Sequence, residues 1–123
     1  MQKKLLKPNT KYIFISGGVI SGLGKGTLSA SLAAILKSCG LNVFTIKADM
    51  YLNIDAGTMN PLEHGETFVT HDALECDQDI GTYERFLHEY MSRDNYFTAG
   101  QIYQSLLNKE RQLKYNGVCV EAF

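Results

Sequence analysis

Five glycines fall within the ten residues from Gly17 to Gly26, and they separate two stretches with different hydrophobic periods. On the N-terminal side, Tyr12-Ile13-Phe14-Ile15-Ser16 is β-branched, aromatic or small, and short enough to read as a strand buried on both faces. On the C-terminal side, Leu28, Leu32, Ile35, Leu36 and Cys39 recur at three- and four-residue steps, which predicts a helix with that apolar face and a stop at Gly40. The glycines therefore occupy a strand-to-helix junction. There the unpaired N–H groups of the first helical turn and the positive end of the helix dipole favour an anion. Glycine lets the backbone curl around phosphate oxygens without a Cβ in the way, and Lys25 supplies a mobile point charge.

The regular phosphate-loop spacing G-x-x-x-x-G-K-[ST] is not met. Counting back from Gly24 puts Val19 where the first glycine belongs, and Gly26 follows Lys25 directly. The loop is thus a one-residue variant, with Thr27 as a candidate magnesium ligand through its hydroxyl. Ser21 and Thr27 suit either phosphate contact or helix capping. The plainer alternative is a structural turn with Lys25 solvated, but the order strand, loop, lysine, helix favours phosphate.

The chain has 123 residues and a net charge of −1, one domain's worth. Beyond Lys3, Lys4 and Lys7 it has no basic cluster, which argues against a nucleic-acid footprint. Met1 to Thr10 has no apolar core after its charged residues, and no stretch approaches the ~20 apolar residues that cross a bilayer, so a soluble, cytoplasmic protein is expected. Cys39, Cys76 and Cys119 are odd in number and widely spaced, so they imply neither a disulfide framework nor a zinc site. Cys39 on the apolar helix face and Cys119 within Val118-Cys119-Val120 are expected to act as small hydrophobes.

Asn42 to Lys47 reads as a second strand, making the first forty-seven residues a βαβ unit with parallel strands. Ligands in such sheets sit beyond the carboxyl ends of the strands, so Lys47 and Asp49 should face the crevice of the glycine loop. Residues 49 to 66 read as a long, shaped loop rich in Gly, Asn, Asp and Pro. Thr67 to Thr70 reads as a short strand. A helix is expected from Thr82 through Tyr83, Phe86, Leu87 and Tyr90, another around Ile102, Tyr103, Leu106 and Leu107, and a last strand over Gly117 to Val120. The alternation predicts an α/β fold, Rossmann-like and of phosphate-loop type, with a parallel sheet and flanking helices.

A phosphate cradle works with Mg²⁺, which takes one or two carboxylates. The acidic cluster Asp72, Glu75, Asp77 and Asp79 offers them, with Asp77 and Asp79 on one side of an extended segment and Glu75 two further back. Composition alone leaves a solvated acidic loop equally open. His64, in the irregular loop, suits either a site-facing role or the surface; His71 and His88 read as surface residues.

Gly17 to Gly26, Lys47 with Asp49, Gly57-Thr58-Met59, Glu63-His64-Gly65-Glu66 and Gly81-Thr82-Tyr83-Glu84-Arg85-Phe86 together resemble the amidoligase domain of CTP synthase, from Lys11 to about Gly117. The resemblance implies conversion of UTP to CTP: ATP phosphorylates the uracil 4-oxygen, and ammonia from glutamine, released in a separate glutaminase domain, displaces the phosphate. It implies that Ser21 touches UTP or CTP, that Ser21 with Gly22, Leu23, Gly24, Lys25, Gly26 and Thr27 binds nucleotide, and that Lys25 and Lys47 are catalytic, on the phosphates and the transferring phosphoryl group. It also implies Asp79 as the Mg²⁺ and ATP carboxylate, and His64 near the ammonia route. ATP and Mg²⁺ are then the cofactors, CTP the product and inhibitor, and a homo-oligomer, a tetramer, the assembly.

Some residues depart from the family pattern. Met50 stands where the family has Pro, Ala73 and Gln78 interrupt Asp-Gly-x-Glu-x-Asp-Leu-Asp-Leu-Gly, Gln112-Leu113-Lys114 replaces an acidic-bearing stretch, and Val120 to Phe123 departs from Val-Gln-Val-Ile-Pro. The expected organisation is an N-terminal extension over 1–10 and, over 11–123, the N-terminal portion of the amidoligase domain, a fragment inactive alone. Alternatives are a non-catalytic nucleotide-binding or synthase-oligomerising module, and a different phosphate-loop enzyme.

Overall fold

A computed structural model describes residues 10–18 and 23–121. Its first helix, α1 (Lys25–Ser38), starts at Gly24, whose φ of 80° is left-handed, and α1 has no side-chain cap. Only glycine takes that conformation at no steric cost, which is why the helix starts directly from the loop. The predicted stop holds: Gly40 is left-handed at φ 81°, and its N–H donates to the Lys37 carbonyl at 2.9 Å.

The face that α1 buries differs from the expected one. Gly26, Ala30 and Ala33 are buried, whereas Leu28 and Ile35 are 58% and 59% exposed. Cys39 is exposed as well. The buried residues pack against α3 (Gln78–Leu87), whose Ile80, Tyr83 and Leu87 recur at three- and four-residue steps. Two helices approach closely where one presents small side chains, so α1 buries its alanines against its neighbour, while Leu32 and Leu36 of the expected face are half-buried. Cys76, Met91 and Tyr96 complete this core, with Val43, Phe68 and Leu74 packed at its edge. α3 begins four residues earlier than the apolar pattern suggests, because Asp77 caps it by accepting from the Asp79 N–H at 2.7 Å.

Among the described residues there are two small sheets. β1 (Lys47–Asp49) pairs in parallel with β4 (Tyr96–Thr98), Lys47 opposite Tyr96 and Asp49 opposite Thr98. β2 (Thr67–Val69) and β3 (Glu75–Asp77) form an antiparallel pair, Phe68 opposite Cys76. The parallel pair with flanking helices is the α/β architecture expected. Its composition is not: Tyr12 to Ser16 and Gly117 to Val120 lie outside any strand, and the second strand is displaced to Lys47–Asp49, sharing only Lys47 with the expected Asn42–Lys47. β1 therefore takes β4, not the Tyr12 segment, as its parallel neighbour. A strand buried on both faces needs a paired neighbour and covering side chains, and here Phe14 is 89% and Val118 70% exposed. Cys119, in the same run as Val118, is exposed too.

The segment 49–66 is a shaped loop with two short turns of helix. Asp55 caps the 3₁₀ turn Ala56–Thr58, and Asn60 caps α2 (Pro61–His64), with Pro61 at its first position. The Thr98 hydroxyl ties this loop down by donating to the Asn53 carbonyl at 2.6 Å, and it also caps α4 (Ala99–Arg111). Among the described residues no helix is long and apolar enough to cross a membrane.

Candidate functional site

The carboxyl ends of β1 and β3, the end of α2 and the start of α3 converge on Lys47. Two-residue alternation sends Lys47 and Asp49 to the same face of β1, where the ammonium donates to Asp49 Oδ1 at 2.8 Å. The same Nζ lies 3.5 Å from Asp79 Oδ2 and 3.7 Å from Asp77 Oδ2. Burial works against the ammonium, but the Asp49 hydrogen bond and the charges of Asp77, Asp49 and Asp79 overcome it and hold Lys47 above the usual lysine range. Lys47 is therefore a permanent cation surrounded by three carboxylates.

Asp77 feels the opposite balance. Burial raises its carboxyl above the usual range, the Asp79 N–H and Lys47 only partly offset this, and the charges of Asp79 and Asp49 add to the rise. Among the described residues neither the buried Asp49 Oδ2 nor the buried hydroxyl of Tyr96, on the neighbouring strand, has a hydrogen-bond partner of good geometry. His64 comes into the same place from α2. Its side chain is 6% exposed, Nε2 lies 3.6 Å from Asp77 Oδ2, and neither ring nitrogen has a hydrogen-bond partner among the described residues. The ring sits edge-on to Tyr51, centroids 5.3 Å apart. Of the two sequence readings of His64, the site-facing one holds.

Among the described residues, the glycine loop approaches this cluster at Gly26. A Cβ on Gly26 would land on the Asp79 carboxylate, so only glycine lets α1 and that carboxylate approach so closely. This gives a physical reason for Gly26 where the regular loop has Ser or Thr. It also seats a negative group beside the first turn of α1, where the helix dipole is positive. Lys25 points back along the loop, Nζ donating to the Gly18 carbonyl at 2.7 Å. Leu23, Gly24 and Thr27 are exposed around the start of α1. Ser21 and Gly22 lie outside the described residues.

The acidic cluster read from the sequence divides. Asp77 and Asp79 meet at Lys47, but α3 starts between them, so a strand end and a helix turn bring them together, not one extended segment. Asp72 leaves the site for Arg93, whose Nε donates to Asp72 Oδ2 at 3.0 Å. Glu75 turns to the Ala56–Thr58 turn, where a Cβ on Gly57 would meet its carboxylate. Sequence reasoning missed Tyr96, since a tyrosine opening an apolar triplet looks like core; only its register opposite Lys47 brings it to the site.

A family model described as CTP synthase N-terminus matches residues 11–123. A protein named CTP synthase from Campylobacter jejuni subsp. jejuni serotype O:23/36 (strain 81-176) is 56% identical over 112 residues, which is 91% of this chain and 21% of that protein. One of the same name from Onion yellows phytoplasma (strain OY-M) is 58% identical over 121 residues, 98% of this chain and 22% of that protein. The chain thus spans about a fifth of the length of the curated relatives it matches.

Proposed function

Because the chain belongs to the CTP synthase N-terminus family, we propose that it carries the ATP-phosphate end of a site that converts UTP to CTP. Residues 11–123 act as the N-terminal portion of the amidoligase unit, and 1–10 as an extension before it. The observation that carries this reading is the meeting of Gly26, Asp79 and Lys47, where a glycine helix start, a carboxylate and a buried cation share one corner.

The roles follow from charge. Phosphoryl transfer is mostly positioning and electrostatic stabilisation, so cations must face the phosphate oxygens. Lys47, held above the usual lysine range, remains protonated throughout turnover and suits the phosphoryl group as it moves from ATP to the uracil 4-oxygen. Lys25 donates to a backbone carbonyl of its own loop, a neutral partner that a phosphate oxygen replaces with gain. The first-turn N–H groups of α1, which has no side-chain cap, face the same anion. Asp79, 38% exposed and set against α1, fits Mg²⁺ as an oxygen ligand. When bound, Mg²⁺ would neutralise charge on the ATP phosphates. Ammonia from a glutaminase unit then displaces the phosphate, with His64 near its approach, and a homo-oligomer is the working assembly.

Equilibrium binding of ATP in the presence of Mg²⁺ tests this. Lys25→Ala and Asp79→Asn should each weaken binding about tenfold, the loss of one charge-assisted contact. Unchanged affinity in both variants would overturn the assignment.

A further inference from the structure

Three side chains from three different elements meet beside Lys47, and two of them, Asp49 and His64, carry buried polar atoms with no hydrogen-bond partner among the described residues. Asp49 ends β1, His64 ends α2 and Asp77 ends β3. One ligand atom of each lies within 4.8 Å of the other two. His64 is the informative member: its side chain is 6% exposed, and both nitrogens lack hydrogen-bond partners, as does Asp49 Oδ2. A buried polar group left unsatisfied costs about 1–3 kcal/mol, so an arrangement with several in one place points to a ligand that satisfies them together.

Charge points the same way. Asp49, Asp77 and Asp79 surround the single ammonium of Lys47, an excess of two negative charges, and Lys25 is engaged elsewhere on the Gly18 carbonyl. A divalent cation cancels that excess. Lys47 does not block it, because its hydrogen bond takes Asp49 Oδ1 and not Oδ2. An imidazole nitrogen suits zinc, cobalt or nickel, whereas magnesium and calcium prefer oxygen alone. Ligation at about 2.0–2.2 Å requires the three groups to draw together around a common centre.

We propose that Asp49, His64 and Asp77 form a binding site for a divalent transition cation that loads without nucleotide. Its ligand set differs from that of the Mg²⁺ placed on Asp79, and it stands whether or not this chain binds ATP.

Titration of the full chain with Co²⁺ alone, without nucleotide, tests the site through the visible d–d absorption of the bound ion. One equivalent is expected to bind, and an equal concentration of Mg²⁺ should not compete. His64→Gln should weaken Co²⁺ binding about tenfold or more, and Asp49→Asn should do the same if the glutamine variant fails to fold by circular dichroism. Asp79→Asn should keep the spectrum. Absence of d–d bands in the parent chain, Co²⁺ affinity unchanged by both His64→Gln and Asp49→Asn, or displacement by equimolar Mg²⁺ would each overturn the proposal.

Discussion

Two carboxylate clusters built from similar parts sit on the two ends of the β2–β3 hairpin, and they settle their charges in opposite ways. At the turn, Asp72 meets one guanidinium and uses its oxygens fully. Oδ1 accepts from the Thr70 hydroxyl at 2.5 Å, and both oxygens accept from the Arg93 backbone N–H, at 3.2 and 3.1 Å. Arg93 also donates through Nε to Oδ2 and through a terminal nitrogen to the Asp72 carbonyl. The Thr70 hydrogen bond, with the Arg93 contacts, holds the Asp72 carboxyl down at about 2 against the cost of burial. At the other end, three carboxylates share one ammonium, Asp49 Oδ2 is orphaned and Asp77 is pushed upward. The satisfied cluster is a clasp between a hairpin turn and the 3₁₀ turn Arg93–Asn95. The over-acidic one is where a cation has something to gain.

The largest expected effect comes from removing the cation that the crowded cluster shares. Lys47→Met leaves three carboxylates together and should cost about 3 kcal/mol in urea unfolding, the order found when one partner of a buried ion pair is removed. A loss near zero would mean that solvent screens this cluster as well as it screens a surface pair. Next is Gly26→Ala, whose methyl group must displace the Asp79 carboxylate; overpacking of this kind should cost about 2 kcal/mol. The double variant with Asp79→Ala should recover most of that loss. Additive losses would show that the two residues are not in contact.

In the clasp, Ala73 holds φ at 63°, left-handed, between Thr70 and Leu74. The resemblance to the family had marked this position as one where glycine is usual. Ala73→Gly should therefore raise stability by about 1 kcal/mol, since a Cβ in that region costs about that much. A destabilised glycine variant would place the strain elsewhere.

The smallest effects are in pH dependence, and they should have opposite signs. Asp72 is depressed in the folded state, so its stabilisation is complete above the ordinary carboxylate pKa of about 4 and is lost as pH falls toward about 2. Asp77 is raised, so the folded state binds its proton more tightly; that contribution is present at low pH and is lost as pH rises above the ordinary carboxylate range. Unfolding midpoints across the acid range should show that Asp72→Asn removes the acid-side loss, while Asp77→Asn removes the decline on the other side. Equal slopes in the two variants would erase the distinction between clasp and site.

The helix from Lys25 to its stop at Gly40 is legible because its determinants are local: a left-handed glycine at each end and a run of good helix formers between. The strand at Thr67–Val69 and the shared face of Lys47 and Asp49 are legible for the same reason, since a two-residue step fixes which face a strand side chain takes. The face of α1 is not legible. Periodicity selects Leu28 and Ile35, and only the approach of α3 shows that Ala30 and Ala33 are the residues that fit. Nor does the sequence separate Asp72 from Asp77, because both are aspartates in one acidic stretch. What assigns them is where Arg93 and Lys47 stand, twenty-one and thirty residues away.

Residue order by itself therefore determined the extent of α1, its terminal glycines and the chemical types at the site, all set by backbone conformation within a few residues. Only the tertiary structure decided which strand pairs with β1, which carboxylates meet Lys47, and that His64 arrives among them, buried, with Nε2 3.6 Å from Asp77 Oδ2. These depend on contacts between residues distant in the chain, whose energies come from burial and charge at the meeting point and leave no local pattern.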